Sequence, residues 1–171
     1  MSSRALENVL LWSTKILLWL VPFVSLIISS STLFPYIVGK NIAFRALVEI
    51  AFVFWAGLVF LKKEYRPRFS PLTVAALAVL VVVTLADVFG VNPIRSIWSN
   101  FERMEGLLGF VHIIAYFFIL SSVFRKREDW TIFLNLFIAS GVVNGIYGLL
   151  QKVGALRSIQ GGFRIDGTIG N

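Results

Sequence analysis

The chain has 171 residues, is 57% hydrophobic, and carries a mean hydropathy of +0.82 and a formal net charge of +7. Soluble domains are only about 45–50% apolar, so this composition excludes an ordinary water-soluble core and indicates a polytopic membrane protein. The absence of cysteine excludes a disulfide framework and a thiolate metal site, and in such a chain a basic excess reports orientation rather than nucleic-acid binding.

In chain order, residues 1–15 read as a cytoplasmic, interfacial lead-in, with Trp12 at the headgroups and Lys15 snorkelling outward. No small-residue cleavage site follows, so the first apolar run, 16–33, reads as a retained span, kinked at Pro22. Phe34–Asn41, with Pro35, Gly39 and Lys40, reads as a turn. The second span, 42–61, places Arg45 and Glu49 four apart on one face. Ionisable groups at membrane depth turn toward the bundle or a water-filled cavity, and either a structural pair or a functional one satisfies that rule.

KKEYRPRF at 62–69 is a strongly basic loop, and the third span, 71–89, bears Asp87 near its end. The polar segment 92–106, NPIRSIWSNFERMEG, carries Arg95, Glu102, Arg103 and Glu105 together with Trp98 and Phe101. A fourth span, 104–124, leads to a second basic loop at Arg125–Arg127, and a fifth span, 130–150, leads to a Gly-rich tail, 151–171. The expected fold is all-α: a transmembrane helix bundle of about five spans.

Nine Lys and Arg residues fall at the amino-terminal start and in the two basic loops, and seven fall on the other side. Compact clusters next to span ends dominate orientation, which places the amino terminus in the cytoplasm and the segment 92–106 and the tail outside. The basic residues left on the outer side include Lys40, Arg45, Arg95, Arg103 and Arg164. Arginine forks and lysine point charges match phosphate oxygens, so a row of them suits a lipid-linked phosphate or diphosphate. Ordinary interfacial charge, paired with Glu102, Glu105 and Asp166, is the competing explanation.

Glu105 and His112 share a face of the fourth span across Gly109, a pattern compatible with acid–base chemistry but more common for a structural histidine. Gly141 and Gly145 form a small-xxx-small pair for helix packing. Beside them Ser140, Asn144, Tyr147 and Gln151 form a polar stripe that should face protein or water. The tail lacks GxxxxGK[ST], which excludes a P-loop, and no metal-ligand cluster or catalytic triad is visible.

Three stretches together resemble the amino-terminal half of bacterial O-antigen ligase/polymerase family membrane proteins. They are LFPYIVGKNIAFRALVEI at 33–50, FGVNPIRSIWSNFERMEGLLGFVHIIAYF at 89–117, and YGLLQKVG with RIDGTIGN at 147–154 and 164–171. The resemblance implies a multi-pass inner-membrane glycan ligase or polymerase that takes a polyprenyl-diphosphate-linked glycan as donor and a glycan or lipid as acceptor. It implies no cofactor, metal or nucleic acid. Lys40, Arg45, Arg95, Arg103 and Arg164 then become the expected diphosphate-binding residues, with Glu49, Glu102, Glu105 and Asp166 in support. Members of that family have more spans and a later outer loop, so the sequence reads as an amino-terminal piece, inactive alone, whose catalytic residues lie elsewhere. The alternatives are a transporter or flippase piece using Arg45, Glu49, Asp87 and His112, and a small structural subunit packing through Gly141 and Gly145.

Overall fold

The computed structural model describes residues 3–100, 104–159 and 165–170. Six α-helices follow in order: α1 (Ser3–Leu20), α2 (Val38–Leu61), α3 (Pro71–Val88), α4 (Pro93–Trp98), α5 (Leu107–Val123) and α6 (Arg127–Lys152). Among the described residues there is no strand. α1 with its 3-10 extension Val21–Leu26, α2, α3 and α6 are each long and apolar enough to cross a membrane. α5 is apolar and has 17 residues, about 26 Å at 1.5 Å per residue, which lies at the short end of the spanning range.

Long apolar side chains point outward along these helices, including Val74, Val81, Val82 and Leu85 on α3 and Leu134, Ile138, Val142 and Ile146 on α6. Apolar exposure on this scale has no aqueous counterpart and is the expected surface of a bundle surrounded by lipid. The chain is a multi-pass, all-α membrane protein of about five spans.

Local chemistry sets the helix ends. Ser70 caps α3 by accepting the Thr73 N–H at 3.2 Å, and Asn92 caps α4 by accepting the Arg95 N–H at 3.2 Å. A proline at the first position of each costs nothing there, because that N–H would be unpaired anyway. The first helix starts at Ser3, not at Ile16, because the stretch read as a lead-in packs on α2, with Leu10 against Gly57. It leaves α geometry after Leu20, next to Pro22, which has no N–H to donate, and continues as a 3-10 turn over Val21–Leu26. Residues 27–33 are not helical; the Thr32 hydroxyl donates to the Ser29 carbonyl, one of the local bonds by which Ser and Thr compete with a helix.

The buried core joins Leu18 of α1, Val48 and Ala51 of α2, Ile119, Leu120 and Val123 of α5, and Phe133 of α6. Trp19, Phe124, Trp130, Phe133 and Phe137 continue it as a chain of tilted and edge-to-face rings with centroids 5.0–6.2 Å apart. Lys15 does not snorkel outward. It is buried, with Nζ donating to Asp129 Oδ1 at 2.6 Å, and it lies over the Trp12 ring. Asp129 sits in the first turn of α6 and also accepts the Lys126 N–H at 3.3 Å. The helix end therefore favours the carboxylate that draws Lys15 inward.

The two basic loops meet at one end of the bundle. Arg125 Nη1 lies 3.9 Å from Glu64, and its guanidinium stacks over the Tyr65 ring at 5.1 Å. Lys62 pairs with Glu7 at 3.4 Å at the same end. The connection 27–37, the α4 hairpin and the tail gather at the opposite end. The positional grouping of basic residues read from sequence is thus a grouping in space.

Candidate functional site

The candidate site lies at the hairpin end and has two parts. The first is a recess of about 240 Å³ lined by Arg45, Trp98, Ser99, Asn100 and Met104. Short α4 ends at Ser99, whose φ of 66° turns the chain back, and Met104 at φ 53° breaks the backbone again before α5. A Cβ on Gly106 would stand 2.5 Å from the Ile97 carbonyl oxygen and 2.7 Å from that of Ser96, so only glycine lets the return strand lie this close to α4.

Arg45 reaches this recess from α2. One Nη2–H donates to the Met104 carbonyl, while Nε is buried without a partner among the described residues. Gly109 leaves the passage: a Cβ there would lie 3.4 Å from Arg45 Nη2. No described carboxylate lies within 4 Å of Arg45, so among the described residues its charge is met by a carbonyl dipole. Glu49, one turn along, does not pair with Arg45; it bonds His112 across the α2–α5 interface, with Oε1 3.0 Å from Nε2. The other ring nitrogen faces the Leu108 carbonyl at 2.6 Å. His112 therefore has its carboxylate partner on α2, and the expected Glu105–His112 grouping gives way to Glu49–His112.

The second part is a clamp on residues 165–170. Tyr36 donates its hydroxyl to Asp166 Oδ2 at 3.0 Å, the Ser158 hydroxyl donates to the same oxygen, and Lys40 Nζ donates to the Thr168 carbonyl. Asn144 Oδ1 accepts the Thr168 N–H at 2.9 Å, and Gln151 Oε1 accepts the Gly167 N–H at 2.8 Å. The Thr168 hydroxyl lies within donating distance of Asn144 Oδ1 and of the Ser25 carbonyl. Burial, reinforced by the hydrogen bond that Tyr36 donates to Asp166 and by that carboxylate's charge, pushes the Tyr36 phenol up to about 12. Lower on α6, Ser140 donates to the Pro22 carbonyl at 2.8 Å and meets Ser25 Oγ at 2.8 Å. The polar stripe of α6 thus faces protein, as its composition indicates, and its partners are the Pro22 turn and the tail.

The structure brings Lys40, Asp166 and Thr168 into one cluster and places Arg45 in the recess. Arg95 and Glu105 are exposed. Glu102, Arg103 and Arg164 lie outside the described residues. Sequence reasoning missed Tyr36, Ser158 and Thr168, whose partners are up to 130 residues away and carry no local signal. Among the described residues, no three His, Cys, Asp or Glu side chains gather as a metal site. Compared with known protein families, curated proteins and solved structures, the chain matches none.

Proposed function

We propose that the chain is the donor-binding, amino-terminal part of an O-antigen ligase- or polymerase-like glycan transferase. In this reading it lies in the bacterial inner membrane with its amino terminus in the cytoplasm. Its hairpin end faces outward and holds the diphosphate of a polyprenyl-linked glycan. The observation that carries the reading is Arg45. Its guanidinium is anchored through one nitrogen, has an unmatched buried Nε, and opens on a recess with no described carboxylate within 4 Å. Such a group is held ready for phosphate oxygens and for the charge that grows on a departing diphosphate.

Arg95 adds an exposed cation on the same hairpin, and Arg103 and Arg164 belong to the same basic set in the sequence. Lys40 has a double part: it fastens the tail and adds positive potential at this end. The test is binding of a polyprenyl diphosphate to the purified chain, compared with Arg45→Ala and Arg95→Ala. Loss of one charge-assisted contact, worth about 1.5–3 kcal/mol, lowers affinity by at least ten-fold for Arg45→Ala. Unchanged binding by both variants would remove the assignment.

The Glu49–His112 pair favours a second reading, a transporter moving protons with an anionic or lipid substrate, because paired ionisable groups within spans mark such pathways. Proton-coupled uptake by vesicles, abolished by His112→Gln, separates that reading from transfer chemistry.

A further inference from the structure

At the end of the bundle opposite the Arg45 recess, α2 and α3 both rest on α5 and leave an open groove of about 580 Å³ between them. Phe52 and Trp55 of α2 form one wall, Leu77 and Leu80 of α3 the other, and Ile114 and Phe118 of α5 the floor. The mouth is the basic loop, where Arg66 and Phe69 line the groove. The carboxylates nearest that loop are already engaged, Glu64 by Arg125 and Glu7 by Lys62. No described carboxylate lies within 4 Å of Lys63, Arg66 or Arg68.

From this juxtaposition we infer that the groove is a binding site for an anionic glycerophospholipid, with one acyl chain between α2 and α3 and the headgroup phosphate on Arg66. The lining is apolar throughout its depth, and the volume is in the range of sites that enclose most of a small ligand. A guanidinium fork at the mouth matches phosphate oxygens, and Lys63 and Arg68 on the same loop add attraction for net negative charge. The wall is built before the lipid arrives. Trp55 Nε1 donates to the Tyr65 carbonyl at 3.1 Å, and the Thr73 hydroxyl donates to the Arg68 carbonyl at 2.9 Å. A zwitterionic lipid fills the same groove but brings its own cation against the loop.

The purified chain in mild detergent is titrated with phosphatidylglycerol and with phosphatidylcholine of identical acyl chains, and binding is read by native mass spectrometry. Phosphatidylglycerol is expected to bind at least five-fold more tightly. Arg66→Gln should lower its affinity about five-fold, the effect of one basic residue near a charged lipid surface, without moving phosphatidylcholine. Leu77→Trp fills the groove and should weaken both lipids alike, with far-UV circular dichroism confirming that the variant is folded. Equal affinity of the two lipids for the unmodified chain overturns the inference, as does phosphatidylglycerol binding indifferent to Arg66→Gln. A dimer that dissociates on Leu77→Trp also overturns it, because the groove would then hold protein. None of these readouts involves glycan transfer or the Arg45 recess.

Discussion

Removing Asp129 should do more damage than any other single substitution at the junction of α1 and α6. Its carboxylate lies 2.6 Å from Lys15 Nζ, and both side chains are less than a tenth exposed. Asp129→Ala strands the ammonium beside the Trp12 ring alone, and breaking a buried pair in this way costs about 3–5 kcal/mol. It also removes the acceptor for the Lys126 N–H, worth about 1 kcal/mol as a lost helix cap. Lys15→Met leaves the carboxylate with that N–H and the favourable helix end, so it should cost about 1 kcal/mol less than Asp129→Ala. The double variant Lys15→Met/Asp129→Ala buries no unpaired charge and should be more stable than Asp129→Ala. Unfolding in detergent micelles, followed by far-UV circular dichroism for all four proteins, gives the coupling. Losses that add to within about 0.5 kcal/mol would refute the buried-pair account.

Gly106→Ala should cost roughly 1–3 kcal/mol, because its Cβ meets two carbonyl oxygens, whereas Gly145→Ala, with nothing within 4 Å, should change stability by no more than about 0.5 kcal/mol. Equal losses on thermal melting would show that the hairpin is not held as closely as described. Tyr36 has a folded-state pKa raised to about 12 against about 10 when unfolded, so its contribution to stability is full below pH 10 and is lost as pH rises through the folded value. The difference in near-ultraviolet absorbance between the unmodified chain and Tyr36→Phe should titrate near 12, and a midpoint near 10 contradicts the buried contact with Asp166. Thr168→Val keeps the side-chain shape and removes the hydroxyl, leaving the Ser25 carbonyl without that donor. It should cost about 1–3 kcal/mol locally and speed proteolysis of the tail, and unchanged cleavage would remove the clamp from the account.

The spans were legible because long apolar runs have few alternatives; the caps at Ser70 and Asn92 went unread although each precedes a proline. The shared end of the two basic loops was legible from charge clustering alone. Boundaries near polar or glycine residues were not: Met104 in the left-handed region delays α5 to Leu107, and Asp129 lets α6 begin at Arg127. The direction of the α6 stripe could be read from Ser140, Asn144 and Gln151, but its partners could not, since Pro22, Ser25 and Thr168 come from distant segments. Spacing put Arg45 beside Glu49 and His112 beside Glu105, whereas packing of α2 on α5 sets Glu49 on His112 and Arg45 on the Met104 carbonyl. Gly141 and Gly145 had the pattern of a packing face, yet nothing in the described structure touches it.

The side of the membrane faced by the Arg45 recess decides most directly whether the donor-binding reading stands. The chain has no cysteine, so Lys63→Cys, Lys126→Cys, Arg95→Cys and Arg157→Cys each report a single position to a membrane-impermeant thiol reagent on intact cells. The account expects Arg95→Cys and Arg157→Cys to be labelled at once, and Lys63→Cys and Lys126→Cys only after permeabilisation. The reverse pattern would turn the recess toward the cytoplasm and contradict an outward-facing diphosphate site. Labelling of Lys63→Cys and Arg95→Cys from the same side would contradict the bundle of about five spans itself.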